Sequence, residues 1–224
     1  MIYLALYNNS MTIGIDEVGR GCWAGPLVAA AVGLIEDHGI IGLDDSKKIQ
    51  AKKRLQLAQE IKQSTDQIGI GWVWPSEINK IGLTKSVQLA MLRAVAGVSY
   101  TDSPIIIDGN INYLQSIICD DRSCSKLALC ELCSRINTVI GGDGTVPSVS
   151  AASIIAKVAR DTYMQDIAKK YPNYHFESHV GYGTRLHVEA LERYGVTTLH
   201  RLEYKPIKRF ISEHNLGGDN IDVV

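Results

Sequence analysis

The sequence predicts an α/β domain, with a mixed sheet flanked by helices on both faces and a helical C-terminal portion. Three patterns lead there. Short β-like apolar runs come first, helical and β-like stretches then alternate, and the last third of the chain is helical in pattern.

Taken in order, residues 12–15 and 27–34 are apolar runs flanking DEVGRGCWAGP, where Gly19, Gly21, Gly25 and Pro26 forbid a helix. This reads as strand, loop, strand. Residues 51–63 place Leu55, Ala58 and Ile61 at helical spacing with charges elsewhere, predicting an amphipathic helix. IGIGWVWP, 68–75, is β-like. Ser76 is the expected cap of a second helix, which Gly82 interrupts and which runs up to Gly97. IIID, 105–108, is too short for a helix and β-branched enough for a buried strand, and 137–140 is another such run. Residues 148–170, rich in Ala and Ile, predict a long buried helix, and 184–194 predict a last one stopping at Gly195. Residues 1–11 are expected to be an extension, 12–210 the domain and 211–224 a tail.

The chain's 224 residues are 46% apolar and 21% charged, enough for a buried core. Its 23 basic and 24 acidic residues leave a net charge of -1, so a polyanion has to be met by local patches rather than by a global field. No stretch approaches the roughly 20 apolar residues that a membrane helix needs, so no membrane role is expected. Five cysteines and no secretory leader pattern make the cytoplasm the expected location.

Asp16 and Glu17 are read as following an apolar strand and preceding a Gly-rich turn, an expensive place for charge unless something compensates it. Neighbours on a strand face opposite sides, so the chain is expected to turn at this point if both acids are to meet one ion. Asp108 follows another strand, and Asp143 lies between glycines. Four carboxylates without nearby His or Cys suit Mg²⁺ or Mn²⁺ rather than Zn²⁺, and such ions accompany phosphate chemistry. No GxSxG, GxxxxGK[ST], GxGxxG or HExxH pattern occurs.

GIDEVGRGCWAGPLVAAAV (14–32), DDSKKI (44–49), IIIDGN (105–110), SVSAASIIAKVARD (148–161) and GYGT (181–184) resemble, in order, the blocks of ribonuclease HII, the type 2 ribonuclease H. The resemblance implies a ribonuclease H-like fold on a mixed five-stranded sheet. It also implies metal-dependent endonucleolytic hydrolysis of RNA in RNA/DNA hybrids and incision 5′ of single ribonucleotides in duplex DNA, leaving 3′-hydroxyl and 5′-phosphate ends. Carried over by position, the metal ligands of a two-ion site would be Asp16, Glu17, Asp108 and Asp143. Gly19, Arg20 and Gly21 would lie against the 2′-hydroxyl, Tyr182 on the adjoining sugar, and Ser46 and Lys47 near the substrate backbone. The implied partners are RNA/DNA hybrids and ribonucleotide-containing duplexes. The chain is expected to act as a monomer, and no protein partner is evident. The rivals are a junction resolvase on the same fold and a silent hybrid-binding module. The GRG and GYGT blocks argue against the first and the four acids against the second.

Some positions depart from the pattern. Gly141 stands where the family has Lys, which leaves Asp161 as a competitor to Asp143; Asp161 beside Arg160 reads better as a structural partner. Gln50 replaces a capping Ser, and Leu202 and Glu203 replace a more basic and small polar pair. The basic run Lys47, Lys48, Lys52, Lys53, Arg54 and the cluster Arg201, Lys205, Lys208, Arg209 are candidate phosphate patches. Cys119, Cys124, Cys130 and Cys133 lie outside the family pattern. Only five residues separate the inner pair, so reduced thiols are favoured over structural zinc.

Overall fold

A computed structural model describes residues 11–99, 103–115 and 134–214. The four clustered cysteines, residues 1–10 of the expected extension and residues 215–224 of the expected tail lie outside these. Strand β1 (Met11–Val18) pairs antiparallel with β2 (Leu27–Ile35), which pairs antiparallel with β3 (Ile68–Val73). On the other side of β1, β4 (Ile105–Asp108) and β5 (Ile136–Val139) add in parallel, giving the order β3-β2-β1-β4-β5. This is the expected mixed five-stranded sheet, with β1 as its central strand.

Side chains alternate across the strands, so each face of the sheet has its own core. On one face, Ile13, Ile15, Leu27, Ala29 and Ile107 pack against helix α2 (Pro75–Val95). On the other, Val28, Ala30 and Val32 meet α1 (Ala51–Ser64) and α3 (Pro147–Ala168). Both faces of β1 and β2 are covered, which is why their runs are continuously apolar rather than alternating. Gly14 admits α3 to within backbone contact. A Cβ there would lie 2.1 Å from the carbonyl carbon of Ser148.

Several expectations need correction. In α1, Leu57 joins Ala58 and Ile61 in the core, and Leu55 is 51% exposed, because the buried stripe is set one position away from it. Helix α2 starts at Pro75 rather than after a Ser76 cap. Proline suits a first-turn position, and the Glu77 carboxylate accepts the Trp74 N–H at 2.9 Å. Gly82, with φ 76°, does break the helix. Met11, expected in the extension, begins β1.

The C-terminal portion contains a single turn, α4 (Phe176–His179), then α5 (Arg185–Tyr194) and α6 (Lys205–Glu213). Thr184 caps α5 through His187 N–H, and Gly195 ends it, as expected. Helix α6 crosses residue 211, where the tail was expected to begin. Among the described residues no helix is long and apolar enough to cross a membrane.

His187 and His200 are fully buried here, and desolvation drives their imidazoles down to about 4 and about 3. An unfolded histidine takes up its proton near pH 6.5. Between that pH and the folded values the unfolded chain holds more protons on these two rings, so their contribution to stability falls as pH drops below about 6.5. Relative to the parent, the urea midpoint of His200→Gln should therefore rise as pH falls from 6.5 to 4.5. An identical pH dependence in both would contradict this reading.

Candidate active site

The acids gather at one end of the sheet. β1 does not end before Asp16, as expected, but runs through Glu17 to Val18, with Asp16 opposite Ala30 and Glu17 opposite Ala29. The turn comes later, at Gly19, with φ 84°. Asp16 therefore shares the α3 face with Ala30, and Glu17 the α2 face with Ala29.

The parallel register pairs Ile13 with Ile105 and Ile15 with Ile107. One rung further it sets Asp16 beside Asp108. The turn after β5, a 3-10 turn at Gly142–Gly144, carries Asp143, and the Gly142 N–H donates to Asp108 Oδ1 at 2.8 Å. Carboxylates from separate parts of the chain are thus brought together by strand pairing and one loop.

Asp16 is 7% exposed. Burial, then the charges of Glu17 and Asp108, push its carboxyl up to about 8, against the pull of a hydrogen bond from Ser153. Glu17 is raised by burial and by Asp108, with Arg20 opposing at 3.5 Å. Asp143 is raised by burial, by Asp108 and by Asp45. Raised carboxyls gathered at one place are short of positive charge, which is what a hard cation can supply. They interact in pairs around Asp108. Among the described residues no three His, Cys, Asp or Glu side chains close around a single point. The rival acid Asp161 has other partners: Lys157 at 2.9 Å and Arg54 at 3.7 Å.

A pocket of about 370 Å³ opens beside Asp16 and Glu17, with Lys47, Lys157 and Tyr182 in its wall. Lys47 is the outward member of this wall, its side chain 73% exposed and its Nζ 3.9 Å from Asp143. Ser46 also lines this pocket; it is buried, and its hydroxyl lies 2.8 Å from that of Ser153 on α3.

The two basic patches are corrected. Arg54 turns inward to the carbonyls of Ser46 and Ile49, both at 2.8 Å, leaving the lysines of the first patch. In the second, Arg201 is fully buried, Lys208 pairs with Glu203 at 2.8 Å and Arg209 with Glu213 at 2.6 Å.

Loop 19–25 is held from below by groups that sequence reasoning missed. Arg160 Nε donates to Pro26 O at 2.8 Å, and Arg201 donates to Gly25 O at 3.0 Å and Arg20 O at 3.2 Å. The Tyr204 hydroxyl also donates to Arg20 O, at 2.6 Å. The GYGT segment docks on the same loop. Gly181 O accepts from Trp23 N–H at 2.8 Å, and a Cβ on Gly21 would lie 3.8 Å from the Tyr182 ring. Gly19, Arg20, Gly21 and Tyr182 are therefore neighbours. Nothing in residue spacing signals the buried arginines, because their partners are backbone carbonyls.

Comparison with known proteins agrees with this architecture. The Ribonuclease HII family model matches residues 13–207. A Ribonuclease HII of Bacillus cereus is 44% identical over 202 residues, covering 89% of this chain and 71% of that protein. The fold resembles the ribonuclease H2 of Pyrococcus horikoshii OT3, with TM-score 0.73 and 22% identity over 92% of this chain and 99% of the other. It also resembles Bst-RNase HIII in complex with Mn²⁺, with TM-score 0.66 and 20% identity over 92% and 70% of the two chains. With the family model spanning almost all of the described chain, this protein belongs to the ribonuclease HII family of metal-dependent endonucleases.

Proposed function

We propose that the protein hydrolyses the RNA strand of RNA/DNA hybrids and incises duplex DNA 5′ of single embedded ribonucleotides, within one domain spanning about residues 12–210. The observation that carries this is the parallel register of β1 and β4, which sets Asp16 beside Asp108 next to a glycine loop and Tyr182. Asp16, Glu17, Asp108 and Asp143 would hold two Mg²⁺ or Mn²⁺ ions. Such a pair supplies water activation and charge neutralisation at the scissile phosphate and at the departing 3′ oxygen.

The remaining work falls to the chain's own groups. Arg20 holds the Glu17 carboxylate, Gly142 N–H holds Asp108, and Ser153 steadies Asp16. Gly19 and Gly21 let backbone groups approach a ribose with no intervening Cβ, and the 2′-hydroxyl is the group that separates RNA from DNA. Tyr182, 39% exposed, offers its ring to the neighbouring sugar. Lys47 meets the phosphate backbone. In the reaction water adds to phosphorus, the 3′ oxygen leaves and takes a proton, and the ends are a 3′-hydroxyl and a 5′-phosphate.

The test is a duplex carrying one ribonucleotide, which should be cut on the 5′ side of that residue only when Mg²⁺ or Mn²⁺ is present. Better cutting of an all-DNA four-way junction, or tight hybrid binding with no cleavage, would reverse the proposal. Lys47→Ala should weaken binding equally for hybrid and ribonucleotide-containing duplexes and reduce the salt dependence by about one charge. An unchanged salt slope would remove Lys47 from the phosphate contacts.

A further inference from the structure

The C-terminal portion contains a buried hydrogen-bond chain that ends on the backbone of Tyr182. Thr197 N–H donates to His200 Nδ1 at 2.8 Å, so that nitrogen carries a lone pair and the ring proton of neutral His200 sits on Nε2. His200 Nε2 lies 3.1 Å from His187 Nε2. His187 Nδ1 lies 2.9 Å from the Tyr182 carbonyl, which can only accept, so Nδ1 donates and Nε2 is left to receive the proton of His200. One tautomer pair satisfies every contact. Protonating either ring would set two N–H groups against each other.

What the chain holds is under strain. Val180 has φ 42°, an unfavourable conformation for a β-branched residue, and Gly181 follows at φ 88°. A Cβ on Gly181 would lie 2.2 Å from Ala24 O. A third histidine braces the same turn. His179 stacks on His187 with centroids 4.6 Å apart, its Nε2 is 2.9 Å from Tyr174 O, and its Nδ1 accepts from Gly181 N–H at 3.2 Å. A strained turn fixed from three sides, with a half-exposed aromatic ring at its tip, is a positioning device.

We infer that His200 and His187 are positioning residues for ribonucleotide selection, acting through the Tyr182 carbonyl to fix the ring against the glycine loop. This rests on the proposed role of Tyr182 at the sugar. A core network that merely satisfies buried polar groups would stabilise the fold without a specific link to Tyr182.

A double-mutant cycle separates the two, with kcat/KM measured on the single-ribonucleotide duplex in Mn²⁺ and below the melting temperature of every variant. His187→Phe removes the donor and should lower kcat/KM by about 10- to 100-fold, the scale of a small misplacement at a reacting site. In a Tyr182→Ala background the same substitution should change it by less than about twofold. His187→Asn, whose amide nitrogen can stand where Nδ1 stands, should recover most of the loss. Equal losses in both backgrounds, or no loss from His187→Phe alone, overturn the inference.

Should His187→Phe fail to fold, His187→Gln, whose longer side chain carries its amide past the Nδ1 position, takes its place in both backgrounds against the same criteria. Nitrogen-15 histidine spectra of the unaltered protein at pH 7 also decide the relay directly. His187 should be the Nδ1–H tautomer and His200 the Nε2–H tautomer, and any other pair refutes it. If the unaltered protein does not cut the duplex, the proposed function fails by itself while the spectra still report on the relay.

Discussion

Replacing Asp16 by Asn is expected to abolish incision while making the protein harder to unfold when no divalent ion is added. The two effects share one cause. Asp16 is almost wholly buried and its carboxyl is raised to about 8, because desolvation and the charges of Glu17 and Asp108 all oppose ionisation. A carboxyl whose folded pKa lies above its unfolded value destabilises the fold increasingly as pH rises from about 4 to 8, since over that range the folded chain must hold a proton that the unfolded chain has released. Asn has a similar shape and no charge. At pH 7 the variant should gain on the order of 1 to 4 kcal/mol, the upper end being the part of that window, about three units, crossed by pH 7.

Activity should move the other way, falling by at least about 100- to 1,000-fold, the scale seen when one preorganised electrostatic group is lost. Asp108→Asn should behave alike in activity. Mn²⁺ should raise the melting temperature of the unaltered protein by mass action and that of Asp16→Asn much less. Equal stabilisation of both by Mn²⁺, or retained incision by Asp16→Asn, would remove Asp16 from the ion site.

Gly14→Ala is expected to destabilise the fold by about 3 kcal/mol or more, at the upper end for overpacking, because no flexible side chain can yield. The added methyl would lie 2.1 Å from the carbonyl carbon of Ser148 and 2.2 Å from the nitrogen of Val149, both backbone atoms at the start of α3. Helix and strand must separate. The melting temperature should fall by roughly 6 to 12 °C for a chain of this size. The shift also reaches the site. Asp143 lies just before α3, and its carbonyl accepts the Ser150 hydroxyl at 2.7 Å, while Ser153 on the same helix steadies Asp16. Residual activity should therefore drop even at temperatures where the variant is folded. A melting temperature within 2 °C of the parent, roughly 1 kcal/mol or less, would show that the close approach is not needed.

Much of this was legible before any coordinates. The apolar runs around loop 19–25 gave the central hairpin because glycine and proline punctuate them so densely, and the acids stood out because charge at the end of a buried strand needs a reason. What was misread has physical causes. Asp16 and Glu17 looked like loop residues because hydrophobic patterning stops at Ile15, yet pairing with Ala29 and Ala30 carries the strand to Val18. Arg54 and Arg201 were counted in surface patches because arginine is usually exposed, whereas here each turns inward to backbone carbonyls. The histidines looked scattered because their order along the chain carries no period. Only folding brings His187 within 3.1 Å of His200.

Arg160 and Arg201 remain the unusual pair. Both are fully buried, both are held by carbonyl oxygens, and neither forms an ion pair among the described residues. Their charges are therefore not cancelled locally, while the acids lie at the near end of the same loop. Each guanidinium fastens carbonyls along a stretch that carries three glycines, so the loop keeps its shape without side-chain bulk of its own.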